Sequence, residues 1–89
     1  MVGERFAVRV MVTDVWDQVF LAVEATTTVA ELKRQALAQA LKRAHVRPED
    51  YVVKFRGAQV LEETKTLAAL GAQPNSPFIV LPARRQPVR

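Results

Sequence analysis

Thr28-Val29-Ala30-Glu31-Leu32-Lys33-Arg34-Gln35-Ala36-Leu37-Ala38-Gln39-Ala40-Leu41 is the stretch on which the fold turns. Thr28 and Glu31 fit the Thr-x-x-Glu capping box. In that motif the Thr hydroxyl accepts from the amide three residues on, and the Glu carboxylate reaches back to the cap amide. Val29, Leu32, Ala36, Leu37, Ala40, Leu41 and Ala44 then recur at helical spacing. Lys33, Arg34, Gln35, Gln39, Lys42 and Arg43 fall mostly elsewhere on the wheel. Lys42, Arg43 and His45 suit the negative pole of such a helix, and Pro48 forbids its continuation. The pattern predicts one amphipathic helix whose apolar stripe needs a surface to cover it.

The flanking segments supply that surface. Arg5 to Thr13, RFAVRVMVT, alternates Phe6, Val8, Val10 and Val12 with Ala7, Arg9 and Met11, which is the period of a strand. Asp14-Val15-Trp16-Asp17 reads as a turn, and Gln18 to Glu24, QVFLAVE, as the returning strand of a hairpin. Beyond Pro48, Tyr51 to Arg56 is a third strand, Gly57-Ala58 begins a turn, and Gln59-Val60-Leu61 is a short fourth strand. Glu62 to Lys65 is a polar link. Thr66 to Gly71 is a single capped turn closed by glycine. Pro74 to Pro77 is a turn, and Phe78 to Leu81 is a last strand ended by Pro82. The order ββαββ(short helix)β predicts an α+β domain with a mixed sheet of four or five strands packed on one long helix. It would span residues 5–82, between a flexible segment 1–4 and a disordered basic tail 83–89.

Composition narrows the function. With 89 residues there is room for one domain, and with no cysteine there is no disulfide frame, thiol nucleophile or thiolate metal site. His45 is the only histidine, so a metal site lacks ligands. Glu49-Asp50 and Glu62-Glu63 are neighbours in turns, where they read as solvated charge and not as an acid/base pair across a cleft. No glycine-rich phosphate loop is present. Nothing here asks for catalysis or for a cofactor. No apolar run reaches the ~18 residues of a membrane helix, and no signal peptide is seen, so a cytoplasmic protein without direct membrane insertion is expected. Net charge is +4, but Arg84, Arg85 and Arg89 of the tail carry three of those charges, leaving +1 on the domain. No aromatic residues interleave the basic ones, which argues against nucleic acid as the partner.

The same residues resemble the ubiquitin family from about Phe6 to Leu81. Thr28-Val29-x-x-Leu32-Lys33 is similar to the family's Thr-Ile-x-x-Val-Lys. Pro48-Glu49-Asp50-x-x-x-Lys54-Phe55-x-Gly57 is similar to Pro-Asp-Gln-x-x-x-Ile-Phe-x-Gly. Thr66-Leu67-Ala68-Ala69-Leu70, followed by Ser76-x-Phe78-Ile79-Val80-Leu81, is similar to Thr-Leu-x-x-Tyr followed by Ser-x-Leu-His-Leu-Val. The resemblance implies the ubiquitin-like β-grasp fold and a function in protein binding. Conjugated members and sulfur carriers of this fold end in Gly-Gly, whereas residues 82–89 contain no glycine. The helix runs about one turn longer than the family's, and Lys54 stands where the family's central interaction isoleucine would. A non-conjugating adaptor is therefore expected. The small ubiquitin-like accessory proteins of bacterial type VII secretion, which also lack Gly-Gly, are the narrower resemblance, and the content of Ala, Val and Arg has a bacterial look.

The expected binding surface follows from alternation. If the helix covers the face carrying Val8, Val10, Leu21, Val53 and Phe78, the other face is open. It carries Arg9, Met11, Phe20, Val52, Lys54, Ile79 and Leu81. An open face should be polar, and this one is apolar with a charged rim, the pattern of a protein contact. Trp16, at the tip of the first hairpin, is either an interface anchor or a side chain folded on the sheet edge. The occupants to weigh are a partner protein and a second copy in a homodimer. A basic nucleic-acid binder and a modifier with atypical processing are the rival functions.

Overall fold

The computed structural model of the chain describes residues 5–13, 15–41 and 47–83. Its elements are β1 (Arg5–Val12), β2 (Asp17–Glu24), α1 (Val29–Leu41), a 3₁₀ turn at Pro48–Asp50, β3 (Tyr51–Phe55), β4 (Ala58–Gln59), α2 (Leu67–Leu70) and β5 (Pro77–Pro82). The sheet order is β2-β1-β5-β3-β4. β1 runs antiparallel to β2 and parallel to β5, and β3 runs antiparallel to both β5 and β4. The sheet is thus mixed, with five strands, and the final strand fills its centre.

Alternation decides which face is covered. Val8, Val10 and Val12 of β1, Leu21 and Val23 of β2, Val53 of β3 and Phe78 and Val80 of β5 are all essentially inaccessible. They meet Val29, Leu32, Ala36 and Leu37 of α1 in one core, with Leu67 of α2 closing one end. Phe55 and Phe78 stack at 4.7 Å between ring centroids. Phe6, which shares the parity of Val8 and Val10, is packed against this core and only partly buried.

Most sequence expectations hold, and the differences have local causes. Arg56 (φ 57) and Gly57 (φ 83) both adopt left-handed backbone, so β3 and β4 are joined by a two-residue loop of the type that suits strand twist. The fourth strand is therefore Ala58–Gln59, not residues 59–61. Val60 leaves the ladder after one bond, its N–H donating to the Val53 carbonyl at 2.8 Å, and drops into the core. The capping box is half made. Thr28 Oγ1 accepts from the Glu31 amide at 3.2 Å, but the Glu31 carboxylate turns forward to Arg34 and Gln35. Those bonds hold its pKa below the ordinary value, Arg34 contributing most and Gln35 next. The expected end of the helix at residues 42–46, with Lys42, Arg43, Ala44 and His45, lies outside the described residues, as do segment 1–4 and tail residues 84–89.

Two expectations are corrected outright. Lys33 is not a surface residue: it is 4 % exposed, and its ammonium donates to a Glu63 carboxylate oxygen at 2.7 Å and to the Tyr51 carbonyl at 2.9 Å. Glu63, in turn, is not solvated loop charge but the half-buried partner of that ammonium. Glu49 and Asp50 do remain exposed, both beside Arg47.

The start of α1 is stitched to the segment before α2. The amides of Val29 and Ala30 donate to the Lys65 and Glu63 carbonyls at 3.0 and 2.9 Å. The amides of Leu67 and Ala68 donate to the Thr27 and Ala25 carbonyls at 2.8 and 3.0 Å. Orphan donors at two helix starts are thereby satisfied by each other's lead-in chain. Thr66 Oγ1 caps α2 by accepting from the Ala69 amide, and Gly71 (φ 80) ends it.

Candidate functional site

The uncovered face of the sheet can be read strand by strand. Across its middle, Gln18 of β2 lies beside Met11 of β1, Met11 beside Ile79 of β5, Ile79 beside Lys54 of β3, and Lys54 beside Gln59 of β4. One step along, Phe20 lies beside Arg9. One step the other way, Leu81 lies beside Val52. Residues two apart on a strand share a face, and diagonal neighbours on adjacent strands remain within reach of long side chains. The apolar members form a continuous diagonal from Phe20 through Met11 and Ile79 to Leu81 and Val52.

Exposure separates the members of this diagonal. Phe20 is 56 % and Ile79 39 % exposed, far above what the inner face shows, while Met11, Val52 and Leu81 are half-buried among them. Arg9 and Lys54 flank the stripe and are themselves half-buried. Arg9 is steadied by its Nε donating to the Asn75 carbonyl at 3.3 Å, and Asn75, at φ 69, is one of three non-glycine residues with positive φ among the described residues. Neither cation is paired with a carboxylate among the described residues. The face thus presents exposed hydrocarbon with two cations that meet no carboxylate among the described residues, which suits a partner surface that is apolar in the middle and acidic at the rim.

Seven of the eight residues expected from the sequence lie on this face. Trp16 stands apart at the hairpin tip, 76 % exposed with φ 49, beside the exposed Val15. The alternative in which it folds down on the sheet edge is not what the structure shows. Sequence reasoning missed one further feature. Leu61 is 85 % exposed at the rim of a groove of about 330 Å³ between β4 and α2, lined by Phe55, Val60, Glu62, Lys65 and Leu70. The apolar pair Val60-Leu61 was the available signal: in an extended segment only one of two adjacent apolar residues can face the core. A second groove, of about 320 Å³, lies between α1 and the 3₁₀ turn and is lined mostly by charged residues, of which Lys33 and Glu63 are already engaged with each other. No three His, Cys, Asp or Glu residues converge as metal ligands among the described residues. No described helix is long and apolar enough to cross a membrane.

The arrangement is that of a ubiquitin-like β-grasp domain. A ubiquitin of Caldiarchaeum subterraneum has the same fold, with a TM-score of 0.76 over 92 % of this chain and 98 % of that one, at 17 % identity. The ubiquitin-like domain of an Arabidopsis thaliana protein is similar, with a TM-score of 0.74 over 96 % of this chain and 84 % of that one, at 16 % identity. No protein-family model matches the chain, and no curated protein sequence does. At these identities the likeness shows the fold, an α+β grasp of a five-stranded sheet on a helix, and leaves the chemistry of the surface to be argued from this chain's own residues.

Proposed function

We propose that the domain is a non-catalytic protein-docking module whose contact surface is the open face of the sheet. One observation carries the reading: Phe20 and Ile79 are exposed on the uncovered sheet face, in line with the half-buried Met11, Leu81 and Val52 and between Arg9 and Lys54, neither of which meets a carboxylate among the described residues. An aromatic anchor surrounded by half-buried aliphatics is the usual composition of an interface centre. The cations supply orientation and association rate more than affinity. Trp16, outside the stripe, would touch a partner that extends past the hairpin tip.

In the narrower form of this proposal the domain is an adaptor that is not itself conjugated, acting in the bacterial cytoplasm beside a type VII secretion apparatus. Its support is the sequence resemblance. The test uses wild type, Phe20→Asp and Ile79→Asp as baits in lysate of the native cells. Proteins captured by wild type and lost from both variants, with unchanged far-UV circular dichroism, support the face as the docking site. Equal capture by all three baits would rule it out. Intact mass of the protein recovered from the same cells separates the adaptor from a processed or conjugated modifier. Capture that collapses in salt and survives both substitutions would favour nucleic acid instead.

A further inference from the structure

The two edges of the sheet are unequal. β4 has two residues, Ala58 and Gln59, and offers little to an incoming strand. β2 has eight, paired with β1 through eight consecutive positions without a bulge. Backbone direction on β1 is fixed by three bonds to the far side: the Arg9 amide donates to Ser76, the Thr13 amide to Val80, and the Ala7 carbonyl accepts from Asn75. Odd residues of β1 therefore address β5, and even residues address β2. Their β2 partners are Asp17, Val19, Leu21 and Val23. The amides and carbonyls of the even residues Gln18, Phe20, Ala22 and Glu24 point outward. Glu24 confirms this, since its amide and carbonyl are taken by Thr27 in the following turn and not by β1. Gln18, Phe20 and Ala22 keep outward donors and acceptors with no partner among the described residues.

Proteins usually blunt such an edge with Lys, Pro, a bulge or a short strand. β2 has none of these, and its charges, Asp17 and Glu24, sit only at its ends. We infer that β2 pairs antiparallel with β2 of a second copy, about a two-fold axis through Phe20. Antiparallel self-pairing must join residues of equal parity for side chains to keep their faces. Centred on Phe20, the register sets Phe20 against Phe20, Gln18 against Ala22 and Ala22 against Gln18. All three outward-facing residues are then matched, with two bonds in each pair. Centring on Leu21 would send Gln18 to Glu24, already engaged by Thr27, and centring on Val19 would send Ala22 into the turn at Trp16. The Phe20 register also sets Asp17 against Val23, so no like charges meet, and the two Phe20 rings become a cross-strand aromatic pair. An axis perpendicular to the sheet keeps both open faces on the same side. The product is one continuous sheet with two docking faces abreast. This inference stands on backbone groups and does not depend on the docking proposal.

The experiment is light scattering combined with amide hydrogen exchange by NMR, from about 10 μM to about 1 mM protein. Mass is expected to rise from 10.0 kDa toward twice that value. Exchange at Gln18, Phe20 and Ala22 is expected to slow with concentration, while Val19 and Leu21 stay protected throughout. Ala22→Pro removes an outward N–H that the β1–β2 ladder does not use, which an edge strand tolerates. It is expected to weaken association at least about tenfold with the fold intact. A monomer at every concentration, or association without slowed exchange at Phe20 and Ala22, would overturn the inference. So would association that a folded Ala22→Pro leaves unchanged. The exchange arm uses wild type alone, so a failure of the variant to fold does not rescue the idea. Loss of lysate capture in Ile79→Asp, which lies on β5 away from this edge, is read separately and bears only on the docking face, whereas Phe20→Asp also sets two carboxylates together at the axis and so bears on both.

Discussion

Replacing Lys33 by Met tests whether the buried ammonium holds the helix to the loop before α2. The substitution keeps most of the length and hydrocarbon of the side chain and removes the charge. In the native protein the ammonium is inside, 4 % exposed, donating to Glu63 and to the Tyr51 carbonyl. A hydrogen bond to a charged partner contributes about 1.5–3 kcal/mol, and stranding the other charge of a buried pair costs about 3–5 kcal/mol. The Glu63 side chain is 23 % exposed, so water recovers part of its solvation and the upper figure is too large. Met also buries apolar surface where the Lys stem lay. The net expectation is a loss of about 2–3 kcal/mol, against a total of about 4–13 kcal/mol for a domain of this length. Urea unfolding followed by far-UV circular dichroism should show a midpoint lowered by at least about 1 M. The fluorescence of Trp16 is a poor reporter, because that side chain is already in water. Lys33→Met combined with Glu63→Gln should cost less than the two singly, since neither charge is then stranded. A Lys33→Met midpoint equal to or above wild type would refute the reasoning, and would mean that desolvating the ammonium cancels what its partners return.

Phe78→Leu should lose about 1–3 kcal/mol, from imperfect repacking and from the stack on Phe55, whereas Phe20→Leu on the open face should stay within about 0.5 kcal/mol of wild type; thermal unfolding of the two side by side checks this contrast. Gly71→Ala should cost about 1 kcal/mol although no atom lies within 4 Å of the added methyl, because the φ of 80° is the penalty; an unchanged midpoint would mean the cap relaxes to a right-handed turn.

Much of this fold could be read from residue order. Alternation in Phe6–Val12, Gln18–Glu24 and Phe78–Leu81 places these three strands within a residue or two of their observed limits, and the Thr28 cap places the start of the helix. Side-chain parity alone separated the covered face from the open one, and so placed Arg9, Met11, Phe20, Val52, Lys54, Ile79 and Leu81 together. What escaped needed a third dimension. Lys33 sits in line with Val29, Leu32, Ala36 and Leu37, inside the apolar stripe, but its burial becomes intelligible only once Glu63, thirty residues on, is seen beside it. Arg56 reads as a strand residue in sequence, because nothing in an arginine announces the positive φ it adopts. Glu31 fits the second half of a capping box, but its carboxylate accepts instead from Arg34 and Gln35, one turn further along the helix. The unguarded edge of β2 depends on strand order, which a list of strands does not contain.

The position of β5 has a consequence for how the domain is made. In the sheet, the β1–β2 hairpin and the β3–β4 hairpin do not touch; only the strand synthesised last lies between them. The donors at the start of α1 likewise wait for the carbonyls of Glu63 and Lys65. A ribosome adding about 5–20 residues per second exposes the first hairpin and the helix for several seconds before Pro77–Pro82 emerges to join the halves. Through that interval Val8, Val10, Leu21 and Leu32 lack the cover of Phe78 and Val80, which arrive with β5. Closure of the sheet therefore waits on β5, and the two faces of the first hairpin, Val8, Val10 and Leu21 on one side and Arg9, Met11 and Phe20 on the other, reach the exit tunnel together.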